Sequence, residues 1–414
     1  MDSHFKLTPD DIKIKSQDAL DLFYAGIKAV QTRKTTDRLL KKFLVEVCAD
    51  LLEGDYKQRA RQFVQLAKKD QTKTTNIVIA YVKQLRNRTL LAKNHPSYIN
   101  PSYVPNKIKP LKKLLIMNDV GLPWKRIQTY YPELDNTHKG RGYTRDEIKK
   151  LLEYSDCIET DFIILASSSG GLRVGGLDNQ KWGNVFPIHE VNGEYKIELG
   201  EDETGTVVCG GMIIYKGSPE EYVALISIEA WEKLEEYKRK WTKKMQRPPK
   251  DTDPLILARF TNPVPLTANA IKERMEKLVV RSGLRTKTKG QRRYEIPVTH
   301  GFRRYWDKIM MQTKSIKGTL AALVIKERLF GHYGLVKTDK NYFWTDTLEL
   351  VPEYLEAMPE LMISDEYRLK HKLNQQIQKN EKLEQSNKEK ELALRRLAEL
   401  EVKMERIQKY QIIK

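Results

Sequence analysis

The chain has 414 residues, too many for one ordinary core, so two domains plus an appendage are expected. Its 74 lysines and arginines against 55 acidic residues give a net charge of +19, which favours nucleic acid as partner, although many solvated lysines would give the same surplus. The three cysteines form no CxxC pair, no apolar run could span a bilayer and no signal sequence opens the chain, so we expect a cytoplasmic protein without metal, small-molecule cofactor or membrane partner.

The first part of the chain, residues 1–139, is predicted to be an all-helical domain. Apolar residues recur at helical spacing from Leu40 to Val47 and again from Ile108 to Leu115. Basic residues are frequent among them: Arg33, Lys34, Arg59, Arg61, Lys83, Arg86, Arg88, Lys107, Lys109, Lys112 and Lys113.

A domain boundary is predicted just before Gly140. Residues 136–143 are polar, basic and glycine-containing, which is typical of an exposed linker. Thr144 and Glu147 then have the spacing of a capping box that opens a new helix. The second domain is expected to cover residues 140–364.

The second domain is predicted to be mostly helical with one small antiparallel sheet. Alternating or β-branched segments predict strands at 195–199, 207–215 and 221–226, separated by glycine-containing turns. Helical patterns cover 161–166, 228–241, 267–282 and the chain from His300 onward. The fold class of the whole chain is therefore expected to be mainly α with a small antiparallel β-sheet.

The tail, residues 365–414, is predicted to form a long helix. It has almost no glycine or proline, and Ala393, Leu397, Leu400, Met404 and Ile407 follow a heptad pattern. The helix could use this heptad seam to form a coiled coil with a second copy of the chain. It could instead pack against its own domain or against another partner.

Two clusters could hold an anion. Arg173 follows the glycine pair Gly170 and Gly171, which should end one helix and start another, and an arginine held there could grip a phosphate. His300 and Arg303 are three positions apart at the start of a predicted helix and face the same way, so one could move a proton while the other holds the anion. Each feature alone is more often an ordinary surface or capping residue.

A third cluster combines His332, after Gly331, with Tyr342. A tyrosine hydroxyl that attacks phosphorus leaves a covalent phosphotyrosine, which keeps the energy of the broken phosphodiester for rejoining. Taken alone, Tyr342 beside Phe343 and Trp344 is more often core packing.

The order of these residues along the chain resembles the tyrosine recombinase (phage-integrase) family, of the Xer-like or archaeal type. The resemblance covers residues 140–360 by motif, and the helical domain is similar to that family's core-binding domain. It implies that Arg173 and Arg303 clamp the scissile phosphate while His300 and His332 complete the cradle. Tyr342 would be the nucleophile, with His300 managing its proton.

The resemblance also implies a lysine on a β-hairpin between Arg173 and His300, acting as general acid for the leaving 5′ oxygen. Lys216 ends a predicted strand in this interval and is our candidate, with Lys181 and Lys196 as alternatives.

Two departures from the family pattern stand out. Family members usually carry an acidic residue three positions after the first arginine, where this chain has Gly176, so that support is missing or comes from Asp178. The interval from His332 to Tyr342 is also one residue longer than usual.

The resemblance implies a site-specific DNA recombinase that works through a 3′-phosphotyrosyl intermediate. Its partners would be double-stranded DNA and further protomers, with a tetramer on two DNA sites. A type IB topoisomerase or a telomere resolvase would use similar groups, and an inactive DNA-binding relative would keep the fold without the chemistry.

Overall fold

The computed structural model describes residues 18–134, 140–261, 263–286, 294–312, 326–331 and 347–412. These residues divide into two compact units, one up to residue 134 and the other from residue 140 onward. Helices make up most of both units, and the second contains a small antiparallel sheet, so the predicted fold class is confirmed. None of the helices in these ranges combines the length and the apolar character needed to cross a membrane.

The first unit consists of helices packed around an aromatic core. Phe43 lies at its centre, with ring centroids 5.4 Å from Phe63 and 5.0 Å from Tyr81. The helices are α1 (Ala19–Ala25), α2 (Val30–Lys41), α3 (Tyr56–Lys69), α4 (Gln71–Thr89), α5 (Val104–Met117) and α6 (Trp124–Gln128). Helix α2 continues directly into a π-helical turn, Lys42–Val47, a rare form that often marks functional sites.

The second unit surrounds one sheet with helices. Its helices are α7 (Arg145–Glu153), α8 (Ile158–Gly170), α9 (Ile228–Met245), α10 (Ala268–Arg281), α11 (His300–Gln312), α12 (Val351–Leu361) and α13 (Asp365–Ile412). Its strands are β1 (Val185–Val191), β2 (Glu194–Lys196), β3 (Thr206–Ile214), β4 (Tyr222–Ser227), β5 (Leu257–Arg259) and β6 (Val264–Pro265).

The main sheet has the strand order β2-β1-β3-β4, and all of its neighbouring strands are antiparallel. Met212 in β3 lies opposite Val185 on one side and Ala224 on the other. One face of the sheet is buried against α8 and α9, where Phe162 and Leu234 are fully buried. The edge strand β4 therefore lies next to the end of α8, where the chain turns toward Arg173.

Several elements differ from the sequence prediction. Strand β1 was not predicted, because Pro187 interrupts its alternation and proline normally argues against a strand. The short pair β5 and β6 was also missed. The helix expected after the glycine pair is only a single 3₁₀ turn, Val174–Leu177, because two further glycines there disfavour a longer helix.

The start of α13 is tied to the second unit by polar contacts. The buried carboxylate of Glu229 accepts hydrogen bonds from the backbone N–H groups of Ile363 (2.8 Å) and Ser364 (3.0 Å). Arg145 donates to the carbonyl of Met362 at 3.2 Å. Beyond this anchor the leucine side chains of α13 that the structure describes, including Leu373 and Leu397, are exposed and are not buried against their own unit.

Candidate active site

Arg303 occupies the centre of the candidate site, one turn into α11. Its side chain is buried, with 5 % of the residue exposed. One guanidinium nitrogen, Nη1, donates to the carbonyl of Gly171 at 2.6 Å, and Nη2 donates to the carbonyl of Phe330 at 2.5 Å. The guanidinium carbon also lies 3.4 Å from the centre of the Phe330 ring. Arg303 thus joins the turn after α8 to the segment 326–331.

Arg173, which follows the turn after α8, also contacts the segment 326–331. Helix α8 ends at Gly170, and Gly171 adopts the left-handed conformation (φ 58°) that glycine accepts without steric cost. Arg173 then lies in extended backbone, and its Nη1 is 3.4 Å from the carbonyl of Gly331, a long hydrogen bond. We call Arg173 and Arg303 the arginine pair.

The arginine pair concentrates positive charge next to the backbone of Gly171 and of residues 330–331. Burial, together with the nearby charge of Arg173, lowers the pKa of Arg303 to about 10, so the group still carries its charge at neutral pH. The partners of the pair include the backbone carbonyls of Gly171, Phe330 and Gly331, which fix the direction of the N–H groups and carry no net charge. Two guanidiniums placed in this way favour the binding of an anion with several oxygen atoms, such as a phosphate.

His300 lies at the first position of α11, one turn before Arg303. Part of the residue remains exposed to solvent, yet partial burial lowers the pKa of its imidazole, and the positive charges of Arg303, Arg304 and Arg173 lower it further. A lowered pKa keeps the ring neutral at physiological pH. A neutral imidazole can accept a proton, which is what a general base requires.

Lys216 lies in the exposed turn between β3 and β4, the kind of hairpin in which the sequence placed it. The turn is held by hydrogen bonds from Ser218 N to the carbonyl of Tyr215 (2.9 Å) and from Gly217 N to the carboxylate of Glu221 (2.5 Å). None of the contacts among the described residues joins Lys216 to the arginine pair. Its role as general acid therefore stays a prediction.

The two alternatives to Lys216 have other surroundings. Lys196 in β2 forms an ion pair with Glu203 at 2.5 Å. Lys181 is exposed and forms a backbone bridge with Pro254. Neither residue has a described contact with the arginine pair.

His332 and Tyr342 lie outside the described residues. Phe330 and Gly331, whose carbonyls the arginine pair contacts, immediately precede His332 in the chain. The pair therefore fixes the backbone that leads into the predicted second histidine.

Gly176 has a structural reason to be glycine. A Cβ atom at this position would lie 2.6 Å from Cγ2 of Ile214 in β3, closer than real Cβ contacts allow. Asp178, the suggested replacement for the acidic residue, instead accepts a hydrogen bond from Ala268 N at the start of α10 (3.0 Å). Asp178 therefore binds the N-terminus of α10.

Two tyrosines near the arginine pair were missed by sequence reasoning. Gly175, two residues after Arg173, lies against the Tyr215 hydroxyl, and Gly331 lies against the Tyr222 ring. Burial raises the pKa of both tyrosines, while the charges of Arg173 and Arg303 lower it. Their rings are 6.4 Å apart across the β3–β4 hairpin. The signal was present: Tyr222, Ala224 and Ile226 alternate toward the buried face of a predicted strand.

The first unit contains a separate cluster of positive charge. A groove of about 460 Å³ lies beside the π-helical turn, and its one acidic lining residue, Glu46, is 3.5 Å from Lys42. Burial and the charges of Lys42, Arg88 and Arg38 lower the pKa of Lys107. We call this the helical-unit groove. It is lined by Arg38, Leu39, Lys41, Lys42, Val45, Glu46, Tyr103 and Lys107.

Comparison with solved structures finds recombinases and integrases. XerA recombinase is 16% identical, with 76% of this chain and 96% of that chain covered at a TM-score of 0.32. The Tn1549 transposon integrase, in complex with transposon right end DNA, is 13% identical, with 77% and 98% covered at 0.41. A lambda integrase dimer bound to a COC′ core site is 14% identical, with 81% and 87% covered at 0.38.

These structures are of the kind that the sequence motifs suggested. No protein-family model and no curated protein matches the chain.

The electrostatic origin of the His300 shift can be tested directly. Arg304→Gln removes one neighbouring positive charge, which makes protonation of the ring less costly, so the pKa of His300 should rise toward its ordinary value of 6.5. Lys272→Gln should shift it in the same direction. NMR titration of the histidine ring protons measures the pKa, with His300→Asn identifying the signal.

Arg239→Gln serves as the control, because it removes an exposed charge of α9 that does not act on His300. An unchanged pKa in Arg304→Gln, or an equal rise in Arg239→Gln, contradicts the assignment.

Proposed function

We propose that the chain is a site-specific DNA recombinase that cuts and rejoins DNA through a 3′-phosphotyrosyl intermediate. The observation that carries the proposal is the arginine pair, whose two guanidiniums come from distant parts of the sequence and meet at adjacent carbonyls beside His300. A phosphodiester bears one negative charge over two nonbridging oxygens. Two guanidiniums match that charge distribution and stabilise it further as negative charge develops during attack.

The chemistry follows from the roles of the remaining groups. Tyr342 would lose its proton to the neutral imidazole of His300 while its oxygen bonds to phosphorus. The bond from phosphorus to O5′ breaks, its electron pair leaves on O5′, and the Lys216 ammonium supplies the proton. His332 would complete the cradle around the phosphate. A 5′ hydroxyl from a second duplex then reverses these steps and releases Tyr342.

The covalent intermediate provides the decisive test. A duplex with a nick close to the cut site loses a short fragment after cleavage, so the protein should stay attached to the DNA. Tyr342→Phe lacks the attacking oxygen and should abolish the attachment completely. Denaturing gels measure the adduct, and peptide mapping should find the nucleotide on residue 342, not on Tyr215 or Tyr222.

The alternatives predict different outcomes in the same assays. A two-site recombination assay run beside a supercoil relaxation assay separates a recombinase from a type IB topoisomerase or a telomere resolvase. An inactive DNA-binding relative would bind DNA, yet its wild-type chain would not become attached. Attachment that persists in Tyr342→Phe would contradict the assignment of the nucleophile.

The helical-unit groove is our proposed DNA contact in the first unit. It gathers four cationic lining residues around one acidic one, and the pKa of Lys107 is lowered by burial and then by repulsion from nearby cations, among them Lys42 and Arg38. A DNA phosphate would relieve that repulsion, and binding would release condensed counterions. The surface suits backbone contact, which gives affinity without reading the base sequence.

Salt dependence tests this contact. Lys42→Gln and Lys107→Gln should each weaken DNA binding and reduce the slope of log affinity against log salt by about 1. Lys57→Gln is the control, because Lys57 belongs to the same unit but does not line the groove and is paired with Asp18 at 2.9 Å. Fluorescence anisotropy at several salt concentrations measures the slope, and slopes equal to that of the control would contradict the role.

Helix α13 is our proposed contact between protomers. Its leucines are exposed beyond the anchored start, and Leu397 and Leu400 belong to the predicted heptad seam. A helix with exposed leucines at this spacing can bury them against the same helix of a second copy. Strand exchange between two DNA sites requires more than one protomer, which such a contact would help to assemble.

A matched pair of substitutions tests the seam. Leu397 is 56 % exposed and lies in the heptad pattern, whereas Leu394 is 65 % exposed and lies outside it. Leu397→Lys should reduce self-association measured by light scattering and analytical ultracentrifugation, because a charge in the seam would be buried without a partner. Leu394→Lys should change it little. Equal effects of both, or unchanged assembly after deletion of residues 365–414, would exclude the seam.

A further inference from the structure

Tyr222 carries a buried hydroxyl whose O–H has no acceptor among the residues that the structure describes. It is the first residue of β4, and only 6 % of it is exposed. Arg303 is close enough to act on the hydroxyl oxygen, but a guanidinium can only donate, so the phenol proton still needs an acceptor. Buried polar groups are nearly always paired, because leaving one unpaired costs free energy. Among the described residues the O–H of Tyr222 is therefore available to donate to a bound group.

The surroundings of Tyr222 indicate what that partner is. The charges of Arg303 and Arg173 act on the hydroxyl from close by. Guanidiniums carry only donors, so neither arginine can accept the O–H of Tyr222. A group that receives hydrogen bonds from both arginines and from the phenol must carry several acceptor oxygens. A phosphodiester has that chemistry.

The ring of Tyr222 is fixed by the segment that the arginine pair contacts. A Cβ atom on Gly331 would lie 2.5 Å from Cε1 of this ring, so the backbone of Gly331 packs directly on it. Arg173 contacts the carbonyl of the same glycine. Tyr222 and Arg173 therefore both contact Gly331. Donors whose positions are fixed by the fold in this way can stabilise a bound anion without rearranging.

We propose that the Tyr222 hydroxyl donates a hydrogen bond to a nonbridging oxygen of the scissile phosphate, as a third donor beside the arginine pair. The inference rests on the proposed recombinase function, since it assigns a substrate contact in the same site. Burial raises the pKa of Tyr222 despite the two arginines, so the phenol keeps its proton. It therefore acts as a donor, and Tyr342 remains the nucleophile.

Tyr222→Phe tests the proposal because it removes the O–H and keeps the ring against Gly331. With the nicked suicide substrate under single-turnover conditions, we expect covalent attachment to slow by about 10- to 100-fold. DNA affinity should stay near that of wild type, because the DNA makes many other phosphate contacts. Thermal unfolding checks that the variant folds.

Tyr237→Phe is the matched control. The Tyr237 hydroxyl is buried in the same unit and accepts a hydrogen bond from Leu257 N at 3.3 Å, so it has a purely structural partner. This variant should show a loss of stability and an unchanged rate of attachment. The comparison separates the loss of any buried hydroxyl from the loss of a substrate contact.

A second measurement tests whether the phosphate oxygen is the acceptor. In a methylphosphonate substrate one nonbridging oxygen is replaced by a methyl group, which cannot accept a hydrogen bond. With one of the two diastereomers, wild type and Tyr222→Phe should cleave at equal rates. An equal slowing of Tyr222→Phe on the phosphate and on both methylphosphonates would overturn the contact.

The outcomes separate this inference from the function on which it rests. If wild type becomes attached and Tyr222→Phe attaches at the same rate, the third donor is wrong and the recombinase function stands. If wild type does not become attached at all, the recombinase function fails and the third donor fails with it.

Discussion

The buried guanidinium of Arg303 is the interaction on which the candidate site depends. It bridges the carbonyl of Gly171 after α8 and the carbonyl of Phe330 before His332, and it lies on the Phe330 ring. Burying a charge is costly unless hydrogen bonds compensate for it. The two carbonyls and the aromatic face give that compensation only in this arrangement. The positive charge therefore holds two distant segments of the chain together.

The choice of carbonyls as partners has a functional consequence. An arginine paired with a carboxylate is neutralised, and its attraction for a further anion is weakened. Carbonyl oxygens satisfy N–H groups and orient the guanidinium while its charge remains available. The neighbouring His300 also responds to that charge: burial lowers the pKa of its imidazole, and the positive charges of Arg303 and Arg173 lower it further. The charge that would attract a phosphate therefore also helps to keep the neighbouring imidazole neutral.

Local sequence signals predicted the parts of the site that are set by local structure. The glycine turn before Arg173, the helix start at His300 and the hairpin around Lys216 all depend on residues within a few positions of one another. The bridge from Arg303 to Gly171 and Phe330 depends on tertiary packing, which spacing does not encode. The same holds for the helical-unit groove, where Lys107 meets the π-helical turn of α2. Strand β1 was missed because Pro187 argues against a strand in the local sequence, whereas the hydrogen bonds to β2 and β3 that form it come from distant residues.

Two phenols that serve one phosphate would need opposite proton behaviour. A nucleophilic tyrosine has to give up its proton, so it needs a base within reach, whereas a donor tyrosine has to keep it. Burial at the start of β4 gives Tyr222 the second property, because a phenolate there would lose its hydration. Arginines alone would favour deprotonation of any phenol beside them. Burial of Tyr222 opposes this lowering of its pKa. Two tyrosines with the same side chain could therefore act as a donor and as a nucleophile because only their surroundings differ.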